Sequence, residues 1–240
     1  MDRRKQLRAF GLAWLAYATY YLGRRGFGVV KKPIHDALGV SEVALGRIDT
    51  AYLTAYSLGQ FASGFFGDRI GARRLVGYGM LLSAAMCAAF GSLSSALAFG
   101  VAFAVNGFAQ ATGWPGTTRA MADWTTLQNR GRAMGFFSTC YQVGGFVAVW
   151  FAGALASAYG WRGAFLGPAV VVALVGVVIL AFLPAPPTAS DASGVSATVA
   201  DDATPHDEAE IRRERREAQR AVVRNPTIWL FAASYFFVKI

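Results

Sequence analysis

Blocks of about twenty residues with almost no charge recur along this chain, and they constrain its fold more than any other feature. They fall at about 9–30, 44–66, 75–95, 97–121, 133–157 and 162–183, and another apolar stretch begins near Pro226 and runs to Ile240. A helix rising 1.5 Å per residue needs about that many residues to cross a hydrocarbon layer of roughly 30 Å. Because lipid offers no partner to backbone N–H and C=O groups, each block must satisfy its own, and the blocks are too long and too uniformly apolar for barrel strands. With 55% hydrophobic and 15% charged residues among 240, the chain reads as an all-α membrane protein rather than a soluble one.

The net charge of +9 suggests nucleic acid at first sight. The basic residues, however, are dispersed between the blocks and do not gather with aromatics on one face, so no nucleic-acid partner is expected. Arg3, Arg4, Lys5 and Arg8, then Arg69, Arg73 and Arg74, then Arg130 and Arg132 fall on one side, against Lys31, Lys32 and Arg162 on the other. The positive-inside rule puts the amino terminus in the cytoplasm of a bacterial inner membrane. The opening block carries arginines and lacks a small-residue cleavage site, so it reads as an uncleaved first helix. Cys87 and Cys140 lie in separate apolar blocks, and His35 and His206 have no ligand-like spacing. No metal or cofactor is expected, and no nucleophile with a base suggests an enzyme.

Three regions follow: a six-helix bundle over 1–183, a cytoplasmic linker over 184–225, and the start of a seventh helix over 226–240. The linker opens Pro-, Ser- and Ala-rich and then becomes charged. Between His206 and Val223 its acidic start and arginine-rich end suit a short surface helix, either solvated or lying on anionic lipid. Helices 3 and 6 are almost wholly apolar and are expected to face lipid, whereas 1, 2, 4 and 5 carry polar stripes. A three-plus-three inverted repeat gives that arrangement.

In the stretch AYATYYLGRRGFGVVKK, residues Tyr17, Tyr21, Arg24 and Gly28 share one helical face. A guanidinium at that depth costs roughly 2.5–3.5 kcal/mol, so Arg24 must face a water-filled cavity or a partner charge. No acidic residue lies at matching depth in helices 1 to 6, and Asp49, near the outer end of helix 2, is the nearest candidate. Without such a partner, the planar fork of Arg24 suits a phosphate or carboxylate; the alternative is an arginine satisfied by helix carbonyls or by Asp49. Asp49, Tyr52, Tyr56 and Gln60 form a stripe on helix 2. Asn106, Gln110, Gly113 and Thr117 form another on helix 4 beside Trp114, and helix 5 adds Ser138, Tyr141 and Gln142. These stripes line a ligand cavity or bond the helices to one another. Further along, GFFGDRIGARR contains Asp68, Arg69 and Arg73, which with Arg119 and Asp123 are expected to form a charge latch at the cytoplasmic mouth.

GFFGDRIGARR resembles the signature loop of the major facilitator superfamily, and NRGRAMG resembles its matching loop before helix 5. YATYYLGRRGF, GFAQATGWPGTTRAMADW and STCYQVGGF are similar to the organophosphate:phosphate antiporters within it. The resemblance implies the amino-terminal six-helix half of a facilitator fold, completed by a carboxy-terminal six-helix half. It further implies a phosphate-binding role for Arg24, with Tyr17, Tyr21, Gln60, Trp114, Tyr141 and Gln142 around the substrate. A second arginine is implied in helix 7, just beyond Ile240. Tyr141 and Gln60 depart from the histidine and lysine usual in that family's glycerol-phosphate and hexose-phosphate carriers.

The function implied is secondary transport of a small phosphorylated anion, such as a sugar phosphate or glycerol phosphate, in exchange for inorganic phosphate. A sensor that kept the transporter fold, and a proton-coupled exporter, are the alternatives. The exporter needs a titrating membrane carboxylate, for which Asp49 is the sole candidate.

Overall fold

The structure, a computed structural model, describes residues 3–187 and, nearer the carboxy terminus, 225–227, 229, 230 and 234; at 65, 66, 68 and 127 it describes backbone alone. Residues 2–187 form one compact unit. Its helices are α1 (Arg3–Tyr20), α2 (Leu22–Leu38), α3 (Glu42–Ser92), α4 (Ala96–Gln110), α5 (Gly113–Asp123), α6 (Leu127–Phe137) and α7 (Thr139–Phe182). No strand occurs among the described residues.

Two of these helices double back. α3 reverses at Gly71 and α7 at Gly160, with φ of 77° and 70°, a region in which an L side chain is strained and glycine is not. The described residues therefore form six spans. α1 and α2 make the first, the two arms of α3 the second and third, and α4 with α5 the fourth. α6 and the first arm of α7 make the fifth, and the second arm the sixth. Three stretches, Arg69–Ser92, Ala96–Asp123 and Gln128–Phe182, are long and apolar enough to cross a membrane by length and composition.

The helices overrun the apolar blocks at their ends. The first span starts at Arg3 and continues to Leu38, past the expected 9–30, because hydropathy marks only the part that belongs in lipid. Local chemistry sets the true ends. Gly39 adopts a left-handed conformation and its N–H returns to the His35 carbonyl at 2.8 Å, while the hydroxyls of Ser41 and Ser95 accept from Ala44 N and Ala98 N.

Three spans are interrupted, the fifth at Ser138 and the first and fourth where they face each other, the fourth just before the GWP stretch. At Tyr21 the first span tightens, Tyr21 N bonding to Ala18 O at 3.3 Å, and in the fourth span Thr112 N bonds likewise to Ala109 O at 3.3 Å. The breaks meet: the Tyr20 hydroxyl lies 2.8 Å from Thr112 Oγ1 and donates to Val76 O at 3.1 Å. First and fourth spans are equivalent in an inverted repeat, so like is broken against like.

The reversals show the same relation. Two residues after Gly71, Arg73 Nε donates to Leu183 O at 2.7 Å. Two residues after Gly160, Arg162 Nη1 donates to Gly91 O and Leu93 O at 2.9 and 2.8 Å, and Nη2 to Ser94 Oγ at 3.0 Å. Leu93 and Leu183 are the carboxy-terminal caps of α3 and α7. Each reversal thus supplies an arginine to the carbonyl end of the other repeat's last helix, where a cation suits both the orphan carbonyls and the dipole.

Packing between spans relies on small residues, as expected where lipid removes the hydrophobic drive for helix association. A Cβ on Gly144 would lie 2.6 Å from Ala18 O, one on Gly107 2.4 Å from Tyr52 O, and one on Gly116 2.3 Å from Val76 Cγ2. Gly144→Ala is therefore expected to destabilise the full-length protein by about 1–3 kcal/mol through overpacking. Gly131→Ala, where a Cβ meets nothing within 4 Å, should be neutral. Thermal unfolding in detergent compares them, and equal melting temperatures would refute the close crossing.

Helices 3 and 6 keep one lipid-type face each, with Tyr78, Leu82, Val170, Leu174 and Val177 exposed. Their uniform apolarity conceals a second role, since they also pack on one another: a Cβ on Gly77 would meet Leu180 Cγ at 2.4 Å, and one on Gly176 Met80 Cβ at 3.0 Å. Near the Gly160 reversal, Phe90 stacks on Phe99 and Phe165 at 4.4 and 4.1 Å and fills that end of the bundle.

In the carboxy-terminal segment, Asn225 Oδ1 accepts from Thr227 N at 3.0 Å, with helix at 226, 227, 229, 230 and 234. Asparagine before proline is a favourable helix start. The surface helix expected between 206 and 223 lies outside the described residues.

Candidate functional site

Arg24 projects from the first turn after the break at Tyr21. Its guanidinium carbon sits 3.9 Å from the centre of the Tyr21 ring, and Arg25, exposed, lies 5.9 Å from the same ring. The phenols of Tyr17, Tyr21, Tyr52 and Tyr56 surround Arg24 within electrostatic reach, with the Tyr52 hydroxyl close enough to bond to it. Among the described residues no carboxylate pairs with Arg24. A half-buried cation faced by aromatic rings and neutral hydroxyls retains N–H donors for an anion.

Asp49 does not serve as its partner. The structure pairs Asp49 with Lys31. Lys31 lies seven residues beyond Arg24, two turns along the same helix, and its long flexible stem reaches Asp49 near the start of α3. The depth of Asp49, and not its separation in sequence from Arg24, decides the pairing.

Tyr17 is the hub of the aromatic wall. It is buried, and its ring lies 6.0 Å from Tyr21, 5.7 Å from Trp114, 5.9 Å from Phe137 and 5.2 Å from Tyr141, mostly edge to face. Trp114 and Tyr141 also touch, at 5.7 Å. Four of the expected residues, Tyr17, Tyr21, Trp114 and Tyr141, are thus brought together around Tyr17, which with Tyr21 lies within electrostatic reach of Arg24. Gln60 is placed differently: its Nε2 donates to Ala111 O at 3.2 Å, a carbonyl at the break in the fourth span. Gln142 is exposed on α7.

The polar stripe of helix 4 divides. Thr117 bonds back to Gly113 O at 2.7 Å, and Asn106 and Gln110 are wholly buried in a network between helices. Asn106 Nδ2 donates to Gly23 O at 2.8 Å, Ser83 Oγ to Asn106 Oδ1 at 2.7 Å, and Gln110 Nε2 to Ser83 Oγ at 3.0 Å. The Tyr52 hydroxyl makes a long contact of 3.5 Å with Gln110 Oε1. For these two residues, inter-helix bonding is what the structure shows. Ser83 and Cys87, whose Sγ also points at Gly23 O from 3.3 Å, were hidden in a helix that reads as apolar. Their spacing of four was the available signal.

At the Gly71 end, Arg119 and Asp123 line a cavity of about 620 Å³ together with Gly64, Gly67, Thr118 and Arg130. Asp123 lies within the field of Arg119. Arg73 is directed away, to Leu183 O. Arg69 is exposed, and the side chain of Asp68 lies outside the description.

Six helical spans with paired breaks and an inward arginine define an all-α bundle of the kind that crosses membranes. The family model described as Major Facilitator Superfamily matches residues 13–239, and the chain belongs to that superfamily. It is 25% identical over 246 residues to a "Probable hexose phosphate transport protein" of Chlamydia trachomatis, covering 98% of this chain and 54% of that one. Against "Glucose-6-phosphate exchanger SLC37A2" of Homo sapiens it is 30% identical over 203 residues, covering 72% and 40%. Against "Membrane sensor protein UhpC" of Escherichia coli it is 28% identical over 235 residues, covering 95% and 52%. These relatives match the organophosphate:phosphate antiporter family. The chain spans about half the length of the curated relatives it matches. A bacterial homologue of the human lysosomal transporter Spinster, inward-facing and occupied, shares the fold with a TM-score of 0.75 at 18% identity, over 81% of this chain and 48% of that one.

Proposed function

We propose that this chain forms the amino-terminal half of a secondary carrier for a small phosphorylated organic anion, a sugar phosphate or glycerol phosphate. The carrier works by exchange against inorganic phosphate. The observation that carries the reading is Arg24: a half-buried guanidinium inside a membrane bundle, walled by tyrosines and unpaired with any described carboxylate. Its fork binds the phosphate, Tyr17 and Tyr21 present ring and hydroxyl beside it, and Trp114 and Tyr141 wall the organic part. Gln142, exposed on the fifth span, and Gln60, once released from Ala111 O, add amide contacts.

A second six-helix half, reached through the linker over 184–225 and the helix starting at 226, completes the site. The two halves rock about it by alternating access. Arg119 and Asp123, with Asp68 and Arg69, close the cytoplasmic mouth. The basic-residue asymmetry supports an inner-membrane protein with its amino terminus in the cytoplasm.

The test is the full-length protein in liposomes. Labelled phosphate inside should exchange with outside phosphate, and hexose 6-phosphate should compete where the free hexose does not. Exchange indifferent to hexose 6-phosphate and glycerol phosphate would refute the substrate class. The sensor relative motivates one further reading, in which the same pocket binds without flux. Saturable binding of hexose 6-phosphate with no exchange would select it.

A further inference from the structure

We propose that the buried chain of hydrogen bonds running from Gly23 O through Asn106, Ser83 and Gln110 to Tyr52 positions Arg24 for the phosphate. This rests on Arg24 being the phosphate-binding residue. The network makes a loop around that residue. At one end Asn106 Nδ2 holds the carbonyl of Gly23, the residue immediately before Arg24. At the other, Tyr52 faces the Arg24 guanidinium and leans on Gln110. Backbone and head group of one arginine are thereby referred to the same set of side chains on the third and fourth spans.

Three features argue for positioning rather than for general adhesion between helices. First, the network abuts the break at Tyr21, where the first span loses regular hydrogen bonding and the direction of the following residues is least fixed by the helix itself. Second, Gly23 is fitted to it: a Cβ there would stand 2.6 Å from Gln110 Nε2 and 3.1 Å from Ser83 Oγ, so only glycine brings the backbone onto the network. Third, the members are fully enclosed, Ser83 0%, Asn106 1% and Gln110 2% exposed, and each finds a partner. In low dielectric a satisfied network of that kind is rigid. A binding group held by such a shell keeps its geometry, and misplacement by about 1 Å costs up to about a hundredfold in function.

Phosphate titration of the full-length protein in nanodiscs tests this, with thermal unfolding run on the same samples. Asn106→Ala and Ser83→Ala should each weaken inorganic phosphate binding by about tenfold or more. Added to Arg24→Ala, neither should weaken it further, because no head group remains to be placed. Tyr20→Phe is the control. It removes a buried bond to Val76 O and a part-buried one to Thr112 that lie outside the network, so it should lower the melting temperature and leave phosphate affinity unchanged. Ser83→Ala, the smaller change, serves where Asn106→Ala does not fold. If both variants bind phosphate within twofold of the parent while Arg24→Ala does not bind, the positioning role is refuted and the role of Arg24 stands. If Arg24→Ala binds as the parent does, both fall together.

Discussion

Arg24→Gln in the full-length protein is expected to reduce the proposed phosphate exchange by about a hundredfold or more, and Arg24→Lys by an intermediate factor. Truncating one partner of a desolvated, hydrogen-bonded charge pair costs roughly 2–5 kcal/mol, and each 1.4 kcal/mol is a factor of ten. Glutamine keeps hydrogen-bond donors but is shorter and loses the charge. Lysine keeps charge and presents it as a point rather than a fork, so bidentate contact is lost. Tyr21 sharpens the difference, because its ring lies 3.9 Å from the guanidinium carbon and stacks on a planar group better than on an ammonium. Initial rates of labelled phosphate exchange in liposomes give the series. Equal rates for parent and glutamine variants would remove Arg24 from the site.

The architecture was legible because hydrophobic length is a direct physical requirement of the bilayer. Apolar blocks interrupted by basic clusters permit little but a polytopic helical bundle, and the fold bears that out. The depth of Arg24 was legible for the same reason, from its position within a block. What the sequence concealed depends on contacts across the bundle. Nothing in ATYYLGRRG marks Tyr21 as a break, since it holds no proline and its residues tolerate a helix; the break shows only where Tyr20 meets Thr112.

Asp49 stood only as the alternative partner for Arg24, and the structure gives it to Lys31 instead, whose depth along the first span matches its own. Ser83 was overlooked, and Cys87 was read only as part of an apolar block, because two small polar residues barely change the hydropathy of a span. In the interior of that span they nevertheless decide what the third helix touches.

The reciprocal arginines yield the last expectation. Arg162→Ala should lower the stability of the full-length protein by about 2–4 kcal/mol and Arg73→Ala by about 1 kcal/mol, with Arg74→Ala close to neutral. The order follows from the contacts. Arg162 is half-buried, donates to two backbone carbonyls and Ser94 Oγ, and lies 4.3 Å from the Trp161 ring centre. Arg73 is exposed and makes a single bond, to Leu183 O. Hydrogen bonds to charged groups are worth about 1.5–3 kcal/mol when buried, and the exposure of Arg73 puts its bond below that range. The two latches sit at opposite ends of the third span, so their effects should add. Neither touches Arg24, so phosphate affinity in the folded fraction should not change. Melting temperatures of the single and double variants in detergent decide the matter. An Arg162→Ala protein as stable as Arg74→Ala would refute the latch. A double variant far less stable than the sum would instead mean that the ends communicate along the helix. With both latches closed, each three-helix repeat is fastened to the other at both ends. Rocking in the proposed transport cycle would then leave the contacts between the two repeats intact.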